Sequence, residues 1–215
     1  PADAAAVALV GPRRPLLPTE IDRIGRYLER GGRLLVCLEP ATICGIEGML
    51  RSKGILLDSL EVYDESPATR GLGLGPRVVV VTDYAPHPIV AAGMGYAVLP
   101  GARTVGVSKE ALWGIEGAVL LRSGGEARLA RSDLPGEIPT GEAAVQPLAV
   151  VEEWETPGAP EGGDGSLDRE KPYGRLLVIG DSEWRSMRFL DLFSKRDLTL
   201  MSFNSLTHTE QLLEI

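Results

Sequence analysis

The side chains best suited to chemistry stand where an apolar run ends. Arg175 to Ile179 reads as a buried strand, and Gly180-Asp181-Ser182 follows it directly, ahead of a run with helical character. A hydroxyl and a carboxylate on a strand-to-helix turn, with backbone N–H groups pointing at the turn, are the parts of a hydrolytic nucleophile or of a ligand-binding edge. A serine nucleophile also needs a base to take its proton. The chain has two histidines, His87 and His208, far apart in sequence. His87 is held between Pro86 and Pro88 in a rigid extended turn. His208 stands at the end of the last helical run, where it favours the helix dipole. The plainer reading of Gly180-Asp181-Ser182 is a turn in which Asp181 or Ser182 caps the next helix. The two cysteines, Cys37 and Cys44, are too few for a disulfide framework and lack metal-site spacing. Cys37 sits in an apolar strand as a small buried hydrophobe, and spacing leaves a Cys37–Cys44 bond open. Gly71 to Gly75 lacks the Lys and Ser/Thr of a phosphate loop and reads as a flexible loop. No metal and no cofactor is expected.

Two comparisons sharpen the nucleophile question. Gly-Asp-Ser opens the nucleophile block of SGNH-type esterases, but there the block lies near the N-terminus and an Asp-x-x-His supplies the base. Here it lies late in the chain, and neither histidine follows an aspartate at that spacing. Glutamine-amidotransferase-type domains carry a nucleophilic cysteine on a Gly-x-Cys-x-Gly elbow. The local text Ala41-Thr42-Ile43-Cys44-Gly45-Ile46 lacks the first glycine, and no His-x-Glu pair follows. The residues therefore point away from an enzyme.

The elements that position these residues alternate. Ala5 to Val10 is a short apolar run suited to a strand buried on both faces, broken by Gly11, Pro12 and Pro15. Thr19, with Asp22 after it, reads as the cap of a helix whose Ile21, Ile24, Tyr27 and Leu28 share one face. Gly31-Gly32 ends that helix. Arg33 to Leu38 is a second buried strand, a helix follows around Ile46 to Lys53, and Leu60 to Tyr63 is a third strand. This rhythm implies right-handed crossovers and an α/β fold with a mostly parallel sheet. Ligands of such sheets bind beyond the carboxyl ends of the strands. That edge would carry Gly11, Pro12, Glu39, Gly180, Asp181 and Ser182 as candidate ligand-binding residues.

The middle, residues 70–155, is a strand-rich extension. It holds short runs at Val78 to Thr82, Tyr96 to Leu99, Arg103 to Val107, Ala118 to Arg122 and Leu148 to Glu152 between Gly and Pro turns. Residues 155–172 are rich in Gly, Pro and acid and read as a mobile loop at a hairpin tip. Helices close the chain near Glu183 to Leu192 and Leu198 to Leu206. Trp113, Trp154 and Trp184 are scattered, and Trp154 reads as core or hairpin packing.

Composition bounds the rest. Residues 1–215 suit one α/β domain. With 44% apolar and 5% aromatic residues, the core must be built mainly from Leu, Val, Ile and Ala. The net charge of −8 repels phosphate backbones and disfavours nucleic acid. Arg13-Arg14 is too short a cluster to reverse that and reads as solvated turn residues. No run of about 18 apolar residues crosses a membrane. The chain opens at Pro1 without Met and ends on an apolar stretch, so it reads as a soluble piece excised from a longer protein.

Several phrases occur in order: Val7-Ala8-Leu9-Val10-Gly11-Pro12-Arg13-Arg14-Pro15-Leu16, Tyr27-Leu28-Glu29-Arg30-Gly31-Gly32-Arg33-Leu34-Leu35-Val36, His87-Pro88-Ile89, Leu99-Pro100-Gly101-Ala102-Arg103, Pro147-Leu148-Ala149-Val150 and Val178-Ile179-Gly180-Asp181-Ser182-Glu183. Lys195-Arg196-Asp197-Leu198 and Asn204-Ser205-Leu206 follow. Together the set resembles the auxiliary component of an ABC-type transport system, the family that includes gliding-motility-associated ABC transporter auxiliary proteins. The last phrases depart from it: Lys195, Met201 and Ser205 replace an Asn, an Asn and a Trp.

The resemblance implies a flavodoxin-like or glutamine-amidotransferase-like doubly wound fold without those families' catalytic residues. It implies a non-catalytic binding or scaffolding domain on the extracytoplasmic, periplasmic face of the membrane, anchored by segments outside this chain. Its partners would be an ABC permease and ATPase, with a protein or glycan ligand. The alternatives are a domain binding a small sugar or peptide, and a hydrolase using Asp181 and Ser182.

Overall fold

A computed structural model describes residues 4–87, 89–90, 95–108, 115–131, 139, 141–155, 173–183 and 206–207. The first apolar run forms β1 (Val7–Val10), and helix α1 (Pro18–Glu29) follows. The helix starts earlier than the Thr19 cap predicted. Pro18 occupies its first turn, where a missing N–H is harmless, and the Glu20 carboxylate accepts the Leu17 N–H at 2.8 Å. Gly31 (φ 81°) ends it, and the Gly32 N–H returns to the Tyr27 carbonyl at 2.9 Å.

β2 (Arg33–Cys37) is buried along its whole length. Next come α2 (Glu47–Ser52), β3 (Ile55–Asp64) and the short α3 (Pro67–Gly71), which Ser66 caps by accepting the Thr69 N–H. The predicted loop at Gly71 to Gly75 therefore begins inside a helix. Then follow β4 (Val78–Val81), β5 (Asp83–Tyr84), β6 (Ala97–Pro100), β7 (Arg103–Val107), β8 (Ile115–Arg122) and β9 (Ala127–Ala130). β10 (Pro147–Glu155) and β11 (Tyr173–Ile179) complete the strands. The predicted mobility of residues 155–172 lies outside the described residues beyond Glu155. The two predicted closing helices lie outside them too, apart from Glu183 and Leu206.

The main sheet has the order β1-β2-β11-β10-β8-β5. β1, β2 and β11 run parallel. β10 runs antiparallel to β11 and to β8, and β8 antiparallel to β5. β7-β3-β9 and β4-β6 form two smaller antiparallel sheets.

This overturns the expectation of a mostly parallel, doubly wound sheet of flavodoxin-like or glutamine-amidotransferase-like form. A parallel pair needs a crossover of a dozen or more residues, usually a helix. The short, Gly-punctuated runs after Asp64 supply strands instead, and those join by antiparallel pairing. The architecture is a strand-rich mixed α/β arrangement in which, among the described residues, only the β1-β2-β11 segment is parallel.

Side chains alternate across the central strands. Leu35, Cys37, Leu177 and Ile179 face one core, shared with Val79, Val81, Ala97 and Leu99 of the β4-β6 hairpin. Leu34, Val36, Leu176 and Val178 face a second core, shared with Leu28 of α1, Leu50 of α2, Ile55 and Val105. Helices α1 and α2, together with β3 and β7, cover one face, and the β4-β6 hairpin packs on the other. β2 and β11 are apolar on both sides for this reason. Trp154 belongs to the second core. Its ring lies flat over Gly174, where a side chain would collide with it, and the Lys53 ammonium sits 4.8 Å from the ring centroid. Trp113 and Trp184 lie outside the described residues.

Candidate functional site

The three parallel strands end on one edge, and their register fixes what meets there. The Gly11 N–H donates to the Cys37 carbonyl at 3.0 Å, and the Leu38 N–H donates to the Ile179 carbonyl at 3.1 Å. Gly11, Glu39 and Ser182 are thereby gathered, as the sequence pattern predicted for this edge. Glu39 closes the group. Its Oε1 accepts the Ser182 backbone N–H at 2.6 Å and also the Ser182 hydroxyl. Gly11 (φ 52°) turns the chain against this pair, and a Cβ there would lie 2.6 Å from Ser182 Oγ. Pro12 lines the adjoining cleft. Asp181 is fully buried, and its Oδ1 accepts the Glu183 N–H at 2.6 Å. Its carboxylate holds the turn shape. Gly180 donates its N–H to Leu148 and accepts the Arg103 N–H at 2.7 Å.

Arg103 is the residue that sequence reasoning missed. It opens β7 and is 4% exposed. Its Nη1 donates to the carbonyls of Glu39 at 3.2 Å and Thr42 at 3.4 Å. Its Nε has no hydrogen-bond partner among the described residues. Burial lowers its pKa, opposed by the charges of Glu47 and Asp58. The only sequence signal was an arginine two residues past the Pro100-Gly101 turn, at the head of an apolar strand.

The segment that Arg103 grips, residues 39–47, is tied down along its length. Ala41 takes a left-handed φ of 54° and donates its N–H to Ser59 at 3.1 Å. The Cys44 carbonyl accepts the Leu16 N–H at 2.8 Å. The Glu47 carboxylate accepts the N–H groups of Cys44 at 2.7 Å and Gly45 at 2.8 Å. Burial pushes the Glu47 carboxyl upward, but these N–H groups outweigh it and hold it below the ordinary carboxylate range.

Neither thiol is set up to attack. Cys44 is fully buried, and burial raises its pKa, so the thiolate is disfavoured. Cys37 is buried in the other core, and the two thiols are not joined in a disulfide. Among the described residues no histidine hydrogen-bonds to Ser182 either. The Nδ1 of His87 accepts the Ile89 N–H at 3.2 Å within its own turn, and His208 lies outside the described residues. The Ser182 hydroxyl donates to the Glu39 carboxylate rather than to an imidazole. The arrangement is a clasp joining the ends of β2 and β11. Among the described residues no group of three His, Cys, Asp or Glu side chains gathers as a metal site, and no helix is long and apolar enough to cross a membrane.

A clasp makes a stability prediction. Ser182→Ala and Glu39→Ala should each lower unfolding free energy by about 1–2 kcal/mol, because each removes hydrogen bonding between the Ser182 hydroxyl and the Glu39 carboxylate. Together they should be non-additive, with a coupling of about 1 kcal/mol in a double-mutant cycle measured by urea unfolding. Strict additivity would mean the bond does not form in solution.

Beside the clasp opens a cleft of about 790 Å³, walled by residues 10–15, Glu39, Thr42, Ile43, Ser182 and Glu183. Arg13 and Arg14, read from sequence as solvated turn residues, are exposed on its wall.

No protein-family model and no curated protein matches this chain. Among solved structures it is similar to one titled mmIFT52 N-terminal domain, with a TM-score of 0.64 and 20% sequence identity. The match covers 94% of this chain and 76% of that one. At that identity the likeness shows the fold alone.

Proposed function

We propose that this chain is a non-catalytic binding or scaffolding domain that assists an ABC-type transport system from the extracytoplasmic side, anchored by segments outside this chain. The observation that carries the non-catalytic part is the state of Ser182. Its hydroxyl and its N–H are both committed to Glu39, and Gly11 packs against it. A serine nucleophile hands its proton to a base that a third group orients, whereas here one carboxylate oxygen holds both the hydroxyl and the backbone N–H of Ser182 and so pins the turn.

The transport part rests on the resemblance, and the geometry adds support. The phrases around Gly11, Arg103 and Gly180–Ser182 come from distant parts of the chain and meet at one edge through the Arg103–Gly180 bond and the Gly11–Ser182 contact. Matches that form one contiguous structure are worth more than the same matches scattered. The open cleft at that edge favours the peptide-binding form of the reading over the hydrolase.

The test is purification of the full-length protein from mild detergent, with mass spectrometry of what accompanies it. An ABC permease and its ATPase should co-purify in amounts comparable to the bait. Recovery of neither from an intact preparation overturns the transport reading.

A further inference from the structure

We propose that the cleft beside Arg13, Arg14 and Ile43 is a preformed docking site for an acidic, apolar peptide segment of a protein partner, a proposal that rests on the binding role above. Ile43 is 80% exposed, the largest exposure among the exposed large apolar side chains of the described residues. An isolated exposed isoleucine on a floppy loop would mean little. This one stands on a segment held by several hydrogen bonds along its length. Arg103 is buried without a carboxylate against it among the described residues, and its guanidinium holds the Glu39 and Thr42 carbonyls on the chain leading to Ile43. Ala41 takes a left-handed conformation that a residue with a Cβ adopts at a cost. The Cys44 carbonyl and N–H, just after Ile43, are both hydrogen-bonded. Strain and a buried cation thus maintain an apolar side chain in water. Preorganisation of this kind lowers the entropy a ligand must remove on binding.

The same cleft also carries charge, the guanidiniums of Arg13 and Arg14 alongside the carboxylates of Glu39, which is engaged with Ser182, and Glu183. Arg13 and Arg14 are adjacent, exposed and without an ion pair among the described residues, in a chain whose formal charge is −8. Pro12 and Pro15 flank them and stiffen the segment, and the Leu16 N–H ties it to Cys44. The two walls are therefore one connected unit. A ligand for it needs carboxylates for the guanidinium forks and an apolar side chain for Ile43. A peptide of mixed aspartate or glutamate with leucine has both. A bare anion lacks the second.

The test is a backbone-amide NMR titration of this chain with a blocked tetrapeptide of alternating aspartate and leucine. The same peptide with asparagine for aspartate, and inorganic phosphate, are run beside it. Shifts should cluster at the amides of Gly11, Arg13, Arg14, residues 42–45 and Ser182. Arg13→Ser/Arg14→Ser and, separately, Ile43→Ser should each weaken binding about tenfold or more while leaving the rest of the spectrum unchanged. Absence of shifts at millimolar peptide overturns the proposal. So do equal binding of the asparagine peptide, reproduction of the shifts by phosphate alone, or unchanged binding by the variants. The titration reads the cleft independently of transporter recovery, so either conclusion can fail while the other holds.

Discussion

Replacing Gly180 with alanine should destabilise the protein by about 3 kcal/mol or more, at the upper end of overpacking effects. A Cβ at this position would fall inside van der Waals contact of the Arg103 carbonyl oxygen, with the Arg103 side chain also close. Neither backbone can step aside. The Gly180 N–H is bonded to Leu148 at 2.9 Å and its carbonyl to the Arg103 N–H at 2.7 Å. The clash therefore spreads into β10 on one side and β7 on the other, and it loosens the Arg103 grip on the cleft. Gly125→Ala is the control. A Cβ there meets nothing within 4 Å, so the change should stay within about 0.5 kcal/mol. Urea unfolding of the two variants decides the matter. Equal midpoints would mean that β7 does not approach the end of β11 so closely in solution.

Glu152→Gln should stabilise the protein above neutral pH by about 2 kcal/mol and change little near pH 4.5. Glu152 is 1% exposed on β10, among Val150, Trp154 and Leu176. Its Oε2 has no hydrogen-bond partner among the described residues. Burial raises its pKa to about 7, and the Lys53 charge opposes the shift only partly. In the unfolded chain the carboxyl titrates near its ordinary value, about 4.3. Below that value both states are protonated and the group carries no penalty. Between it and about 7 the unfolded state ionises while the folded state keeps its proton, so stability falls as pH rises. Above about 7 the loss is complete and the curve is flat. The full shift corresponds to about 3 kcal/mol, and relaxation around Lys53 reduces it. Glutamine resembles the protonated acid and removes the pH dependence. Urea midpoints at pH 5 and pH 8 should separate for the wild type and coincide for the variant. A wild type with no loss of stability over that range would mean that water or Lys53 reaches the carboxylate in solution.

How far the sequence could be read follows the range of the interactions. Helix α1 and strands β2 and β11 were legible because burial period, caps and glycines are local signals. The edge carrying Gly11, Glu39 and Ser182 was legible because parallel strands place their carboxyl ends together, and that part of the sheet is parallel. The doubly wound flavodoxin-like expectation failed first at β3, which leaves the main sheet and pairs antiparallel with β7 and β9, and again at β10. The run Leu148 to Glu152 has the same apolar character in either strand direction, and only its partners show that it runs antiparallel to both neighbours. Arg103 was equally illegible, because an arginine at the head of a strand has no local sign of being buried.

By itself, then, the amino-acid sequence determined which segments had to be buried, where the chain had to turn, and that no histidine stands at esterase spacing before or after Ser182. The tertiary structure decided the order and direction of β10, β8 and β5, the commitment of Ser182 to Glu39, and the alignment of Ile43 with Arg13 and Arg14. The physical reason is that hydrophobic period and turn chemistry are properties of neighbouring residues. Strand direction, a buried guanidinium and a two-walled cleft are agreements between residues more than a hundred positions apart in places, such as Glu39 and Ser182.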